Sequence, residues 1–256
     1  MDLALVSVEI IAFLFFIAVI AGFIDTLAGG GGLITLPALM MSGVPPLAAL
    51  GTNKLQASMG TATATYMMLK KKRVDFSDVK LLMLAAFIGS VIGTIIIQYV
   101  DTQVLTFVIP AVLLLIAIYF IVAPVATETA KPKLSQGKYQ YGVVPAIGAY
   151  DGMFGPGTGS FFALAGVSLR GHSLVNSTAV AKTLNFATNF ASLIVFVFAG
   201  QVVWLIGLLM MLGQVIGAWL GSHCLFKVNP SHLRMLVVVM CLGMLLKYSF
   251  SVGWVG

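Results

Sequence analysis

Charge is what this chain has least of. Of its 256 residues 9% are charged, and only 8 are Asp or Glu. A soluble domain carries about 25% charged residues. A water-facing surface cannot be covered at the lower figure, so a soluble fold is excluded. Cysteine is nearly missing too. Cys224 and Cys241 lie in apolar stretches, without the spacing of a disulfide framework or a metal site. The histidines His172, His223 and His232 are scattered, with no His-x-x-x-His and no carboxylate at ligand spacing. Gly157-Thr158-Gly159-Ser160 lacks the Gly-x-Ser-x-Gly pattern of a nucleophile elbow. Catalysis therefore has no visible carrier, and no cofactor or metal is expected. Asp2 and Glu9 stand where a signal peptide needs a basic region, so the first apolar run reads as a retained helix.

What is present is apolar length. The chain is 60% hydrophobic, in runs of about 20 residues that match a helical span and lack the alternation of a barrel strand. Long helices are expected over 3–24, 47–69, 79–100, 104–123, 174–198, 202–226 and 232–254. Shorter pieces fall at 33–42, 139–150 and 160–169. Residues 125–138 form the only polar linker, with Lys131, Lys133 and Lys138. The cations gather in short loops, so the net charge of +6 reflects membrane topology and not a nucleic-acid partner. Tyr99, Tyr139, Tyr141, Trp204 and Trp254 fall near span ends, as an aromatic belt would.

The chain repeats itself. Asp25, Gly29 and Gly31 recur as Asp151, Gly155 and Gly157, all 126 residues later. Two residues are then inserted. Lys54, Val74, Gly89, Gly93 and Leu105 recur as Lys182, Val202, Gly217, Gly221 and Leu233. Such persistence indicates duplication, with repeats over 1–124 and 139–256. Loop charge orients them. Lys70-Lys71-Lys72-Arg73 should be cytoplasmic, yet its counterpart Ala199-Gly200-Gln201 is uncharged. If the halves are inverted, every cation other than Lys54 and Lys182 lies inside except Lys247, which sits near a helix end and can snorkel. The expected fold is an all-α polytopic membrane protein of two inverted-topology repeats. Each is a Gly-tipped helical hairpin plus three long transmembrane helices. The linker and the Lys70–Arg73 loop should face the cytoplasm.

Two Asp-Gly stretches interrupt the apolar runs. One is Asp25-Thr26-Leu27-Ala28 followed by Gly29, Gly30, Gly31 and Gly32. The other runs from Asp151 through Gly155, Gly157 and Thr158 to Gly159. The glycines at 89, 93, 217 and 221 suit close helix packing. Four consecutive glycines do not. Irregular backbone at membrane depth persists only where protein or a water-filled cavity satisfies it. Each tract also precedes a short helix, whose free N–H groups and positive dipole end would face the midplane, with Thr158 or Ser160 as a cap. Opposed helix N-termini of this kind make an anion site in a transporter.

Lys54 and Lys182 lie well inside long helices. An intramembrane cation costs at least about 2.5–3.5 kcal/mol on insertion scales, so it faces a partner or a cavity. A structural reading pairs Lys54 with Asp25 and Lys182 with Asp151. A functional reading gives the lysines to a substrate anion, with the aspartates positioning the glycine loops or carrying protons. Asn53, Gln56, Ser58, Thr61, Asn185 and Asn189 crowd the same two helices, either bonding across helices or lining a pathway.

At these residues the chain resembles the sulfite exporter TauE/SafE family. The resemblance is carried by Gly22-Phe23-Ile24-Asp25 through Gly32, by Leu36-Pro37, by Gly51-Thr52-Asn53-Lys54, and by Tyr150 through Ser160. It implies a bacterial inner-membrane secondary transporter, with family members linked to sulfite, sulfonates and related small sulfur-containing anions. The joint expectation is a carrier working by alternating access, its site formed by the two tracts with Asn53, Lys54, Lys182 and Asn185. A passive anion channel and, further off, an intramembrane enzyme are the alternatives.

Overall fold

Apolar runs with no water to satisfy their backbone have one economical solution, and every regular element among the described residues is helical. The computed structural model describes residues 7–122, 132–224, 230–251 and 253. The helices are α1 (Val8–Ala28), α2 (Gly32–Met41), α3 (Pro46–Lys70), α4 (Phe76–Gln98), α5 (Thr102–Val122), α6 (Gln136–Lys138), α7 (Val144–Met153), α8 (Thr158–Arg170), α9 (Leu174–Phe198), α10 (Trp204–Cys224) and α11 (Pro230–Ser251). α1, α4, α5, α9 and α10 are long and apolar enough to cross a membrane. α3 has the length, but its Thr, Asn, Gln and Lys residues keep it outside that group. Lys131, Lys227, Trp254 and the Asp2 end of the chain lie outside the described residues, as do the side chains of His232 and Arg234.

Most expected boundaries shift by a few residues. The expected linker is shorter than 125–138 at its far end. Lys133 and Leu134 donate to the Leu169 carbonyl, and Gln136–Lys138 is already helical. A π-helical turn, Tyr139–Val143, joins α6 to α7. Pro145 lies just beyond it. Proline has no N–H and its ring crowds the carbonyl four residues back, so a widened turn there relieves both conflicts.

Packing crosses between the two halves of the chain. α1 lies against α10, and its counterpart α7 lies against α4. Both contacts depend on glycine. A Cβ at Gly93 would overlap the Ala149 carbonyl, and one at Gly217 would overlap the Val19 carbonyl. These stripes bring backbones together as small residues do in membrane helices. Contact partners also fix direction. Gly213, Gly217 and Gly221 meet Phe15, Val19 and Phe23 in order, so α1 and α10 run the same way. Gly207 meets Leu55 and Gly60 meets Gln214, which adds α3 to that set. Gly89 and Gly93 meet Pro145 and Ala149, while Ser90 Oγ donates to the Thr188 carbonyl and Thr94 Oγ1 to Ser192 Oγ, so α4, α7 and α9 run together. α3 and α9 run antiparallel. Thr52 is bonded to Val203, just past the end of α9, while Thr65 reaches the Lys182 carbonyl.

Two hairpins complete the arrangement. α2 returns beside α1, and Met41 and Ser42 share a cleft with Glu9, Ile10 and Phe13 at the far end. Ten residues of α2 rise about 15 Å, roughly half a hydrocarbon core. α7 and α8 form the second hairpin. Large apolar side chains such as Leu84, Ile88, Ile92 and Ile95 of α4 and Leu114, Leu115 and Ile118 of α5 are exposed, as a lipid-facing surface requires. Of the expected aromatic belt, Tyr99, Tyr141 and Trp204 are exposed, but Tyr139 is buried against Leu82 and Ala86 of α4 and their neighbours.

Candidate functional site

The two hairpin tips meet. α1 ends where Gly29 turns left-handed, at φ 74°, and its N–H returns to the Asp25 carbonyl at 2.8 Å. Only glycine adopts that region freely, and here the turn also has no room for a side chain. A Cβ on Gly29 would lie 2.6 Å from the Ser160 backbone nitrogen, in the first turn of α8. Gly32 packs on Pro156, and the Ser160 hydroxyl donates to the Ala28 carbonyl. The tip of each hairpin is thus the wall of the other.

Aspartates hold the tips in shape. Asp25 Oδ1 accepts the Gly31 N–H at 3.1 Å, closing the first tract. Asp151 Oδ1 accepts the Thr158 hydroxyl at 2.8 Å, and that hydroxyl also reaches the Gly155 carbonyl at 2.7 Å. Neither Thr158 nor Ser160 caps α8, contrary to expectation. Gly157 is the N-cap, and both hydroxyls are committed to the tips.

The lysines pair across the halves, and this overturns the within-half pairing. Lys54 Nζ lies 2.9 Å from Asp151 Oδ2, with both side chains 1% exposed. Lys182, 2% exposed, donates to the Asp25 backbone carbonyl instead. Antiparallel α3 and α9 set each lysine beside the opposite hairpin, and no salt bridge joins a lysine to the aspartate of its own half among the described residues. Lys182 Nζ and Asn185 Nδ2 converge on the start of α8. A Cβ on Gly159 would lie 3.8 Å and 3.5 Å from them.

Between the tips lies a cavity of about 20 Å3, lined by Asp25, Gly29, Gly31, Gly32, Asn53, Gly155, Gly159 and Asn185, with Ala57, Asn189 and Gln214. That is about the room one water needs. Its amides present donors. Asn53 Oδ1 accepts from Thr35 Oγ1 at 2.6 Å and Gln56 Nε2 at 2.7 Å, and Asn185 Oδ1 accepts from Asn189 Nδ2 at 3.2 Å. With the oxygens occupied, the NH2 groups remain. Gly30 and Gly157 are not brought here. They pack on Phe120 and Val237 and on Ile116 and Phe120, respectively.

Gln214 escaped the sequence reading because its counterpart at the repeat offset is Ala86. A glutamine in an otherwise plain helix was the available signal. It fills the gap that Gly22 and Gly60 leave, where a Cβ would lie 2.8 Å and 2.7 Å from Gln214 Oε1. No group of His, Cys, Asp and Glu suited to a metal ion occurs among the described residues.

A second, larger cleft of about 320 Å3 opens at one end of the bundle, between Lys72, Arg73, Asp75 and Asp78 on one side and His172 with Asn176 of the first turn of α9 on the other. Burial and the neighbouring Arg170 hold His172 below the ordinary histidine range. Its floor is apolar, with Val74, Val79 and Val180 packed on Met68 and Leu27.

Comparison with known proteins identifies relatives over nearly the whole chain. The model of the sulfite exporter TauE/SafE family matches residues 14–248. A "Probable membrane transporter protein" of Haemophilus influenzae is 41% identical over 250 residues, which cover 97% of this chain and 98% of that protein. "Probable membrane transporter protein YfcA" of Escherichia coli K12 is 40% identical over 240 residues, 93% of this chain and 89% of its own length. "Probable membrane transporter protein ORF9" of a Sinorhizobium species is likewise 40% identical over 240 residues, covering 93% and 92%. No solved structure gives a significant match. The chain is a multi-pass membrane protein and belongs to the sulfite exporter TauE/SafE family of membrane transporters.

Proposed function

We propose that the protein is a secondary transporter that moves a small sulfur-containing anion, such as sulfite or a sulfonate, across the bacterial inner membrane by alternating access. The observation that carries this reading is the meeting of the two tips. Two short helices begin at one small cavity, and each tip has a buried lysine from α3 or α9 beside it. Helix N-termini, lysine and amide NH2 groups all favour negative charge. The antiparallel course of α3 and α9, which the sequence repeat makes counterparts, supports inverted repeats with hairpins entering from opposite faces. Loop charge then puts Lys70–Arg73 and the linker in the cytoplasm.

Charge balance suggests the coupling. Lys54, Lys182, Asp25 and Asp151 sum to zero, and an uncompensated charge in such a site is costly. An entering monoanion leaves a deficit of one positive charge, which a proton on the cavity-lining Asp25 carboxylate restores. The transporter is therefore proposed to carry proton and anion together.

Purified protein in proteoliposomes, offered sulfite, a sulfonate and sulfate with and without a pH gradient, tests this directly. Uptake of a sulfur anion, stimulated by substrate on the opposite side and by the gradient, is expected. Uptake without stimulation from the opposite side would identify a channel. Cysteines at Gln201 and Lys71 should label from outside and inside, respectively.

A further inference from the structure

Two sequences that repeat do not here adopt two equal conformations. Lys54 reaches a carboxylate oxygen of Asp151. Its repeat mate Lys182 reaches only the backbone carbonyl of Asp25, whose carboxylate accepts the Gly31 N–H instead. The ends of the molecule differ in the same sense. Val180 is partly exposed and lines the 320 Å3 cleft. Its mate Thr52, 128 residues earlier, is fully buried, and Thr52 Oγ1 accepts the Val203 N–H at 3.0 Å. Beside it a Cβ on Gly51 would overlap the Gln201 carbonyl, so this end is sealed.

We propose that Lys54 and Lys182 take turns as the anion's partner, each moving between the carboxylate of its cross-repeat aspartate and the central cavity as the two ends open alternately. In the present arrangement Lys54 is locked on Asp151. Lys182, without a carboxylate in salt-bridge contact and next to Asn185 at the start of α8, is the lysine that meets the anion. The mirrored arrangement puts Lys182 on the Asp25 carboxylate and frees Lys54 beside Asp151. Because the contacts come from repeated sequence, the arrangements have comparable energy, which is what a reversible two-state carrier requires. Binding discriminates between them only through whichever lysine is free, so the ion pair that closes one end is tied to the anion site. In this scheme Asp25 and Asp151 hold the lysines in turn, and the co-transported proton resides on whichever aspartate is not paired. The proposal rests on the carrier reading given above.

Single cysteines at Thr52 and Val180, in full-length protein with Cys224 and Cys241 replaced by serine, report the two ends in proteoliposomes treated with a membrane-impermeant maleimide under saturating sulfite. Asp151→Asn weakens the lock seen here and should move the Thr52-to-Val180 labelling ratio up by about tenfold or more. Asp25→Asn removes the mirrored lock and should move it down by a similar factor. The neutral doubles Lys54→Met/Asp151→Asn and Lys182→Met/Asp25→Asn leave no lone buried charge. They should reproduce the two directions in monodisperse protein. Shifts of the same sign for both aspartates, or an unchanged ratio for the Asp25 variants, would overturn the exchange while leaving the carrier intact. Both positions labelling together at rates that no substitution alters would indicate an open path and overturn the carrier reading itself.

Discussion

Substituting Gly29 by alanine separates a backbone cost from a contact cost. At φ 74° an L-residue is disfavoured by about 1–2 kcal/mol. The reduced freedom of the unfolded chain returns about 0.4–1 kcal/mol of this. Gly200 supplies the matched control. Its φ is 68°, and a Cβ there meets nothing within 4 Å. Gly200→Ala should therefore cost about 0–1.6 kcal/mol. Gly29→Ala bears the same backbone term and drives its methyl to 2.6 Å from the Ser160 nitrogen and 2.9 Å from the Gly159 carbonyl carbon. Both neighbours are backbone and cannot rotate away, so an overpacking cost of about 1–3 kcal/mol is added. Unfolding in mixed detergent micelles, followed by far-UV circular dichroism, measures the difference. Gly29→Ala should lose 1–3 kcal/mol more than Gly200→Ala, roughly. Equal losses would mean that the tips do not touch, and the site built on their meeting would fail with them.

Other consequences concern single residues. Gly93→Ala and Gly217→Ala should each destabilise by about 1–3 kcal/mol in the same assay, because each methyl meets carbonyl backbone of a neighbouring helix. Gly243→Ala, with open space around it, should be neutral or stabilising. Gln214→Ala should reduce apparent sulfite affinity by about 5- to 10-fold through loss of a cavity-lining amide, measured as the KM for uptake. His172 has its folded pKa below the unfolded value, so the unfolded chain binds more protons between the two. Its contribution to stability is present above the unfolded pKa of about 6.5 and is lost as pH falls through the folded value. Melting temperatures from pH 7.5 to 5 should fall more steeply for the wild type than for His172→Gln.

Much of this arrangement is legible in the residues because repetition and cost both leave marks. Asp25 and Asp151 in offset register, and lysines in apolar helices, mark the hairpins and the central helices in the sequence itself. What stayed hidden was which partner each residue chose. Lys54 pairs with Asp151 only because α3 and α9 run antiparallel and exchange neighbours, a tertiary fact that no local pattern encodes. Tyr139 looked like an interfacial aromatic, but the π turn before Pro145 turns it into the protein. Gly30 and Gly157 belong to the tracts by sequence, yet face α5. The irregular backbone of each tip sends adjacent residues in different directions, and only some of them can meet a cavity. Gln214 is hidden for the opposite reason, since a glutamine with no repeat mate leaves no periodic signal.

The central claim is that a small anion is held where the two tips meet, against Lys182 and the start of α8. Counterflow of radiolabelled sulfite by wild type and Lys182→Ala in proteoliposomes tests it most directly, with size-exclusion chromatography to establish that the variant is folded. The wild type should exchange label across the membrane. Lys182→Ala should lose roughly 10- to 150-fold in apparent affinity, the worth of a hydrogen bond to a charged group. An unchanged affinity in folded Lys182→Ala would contradict the account.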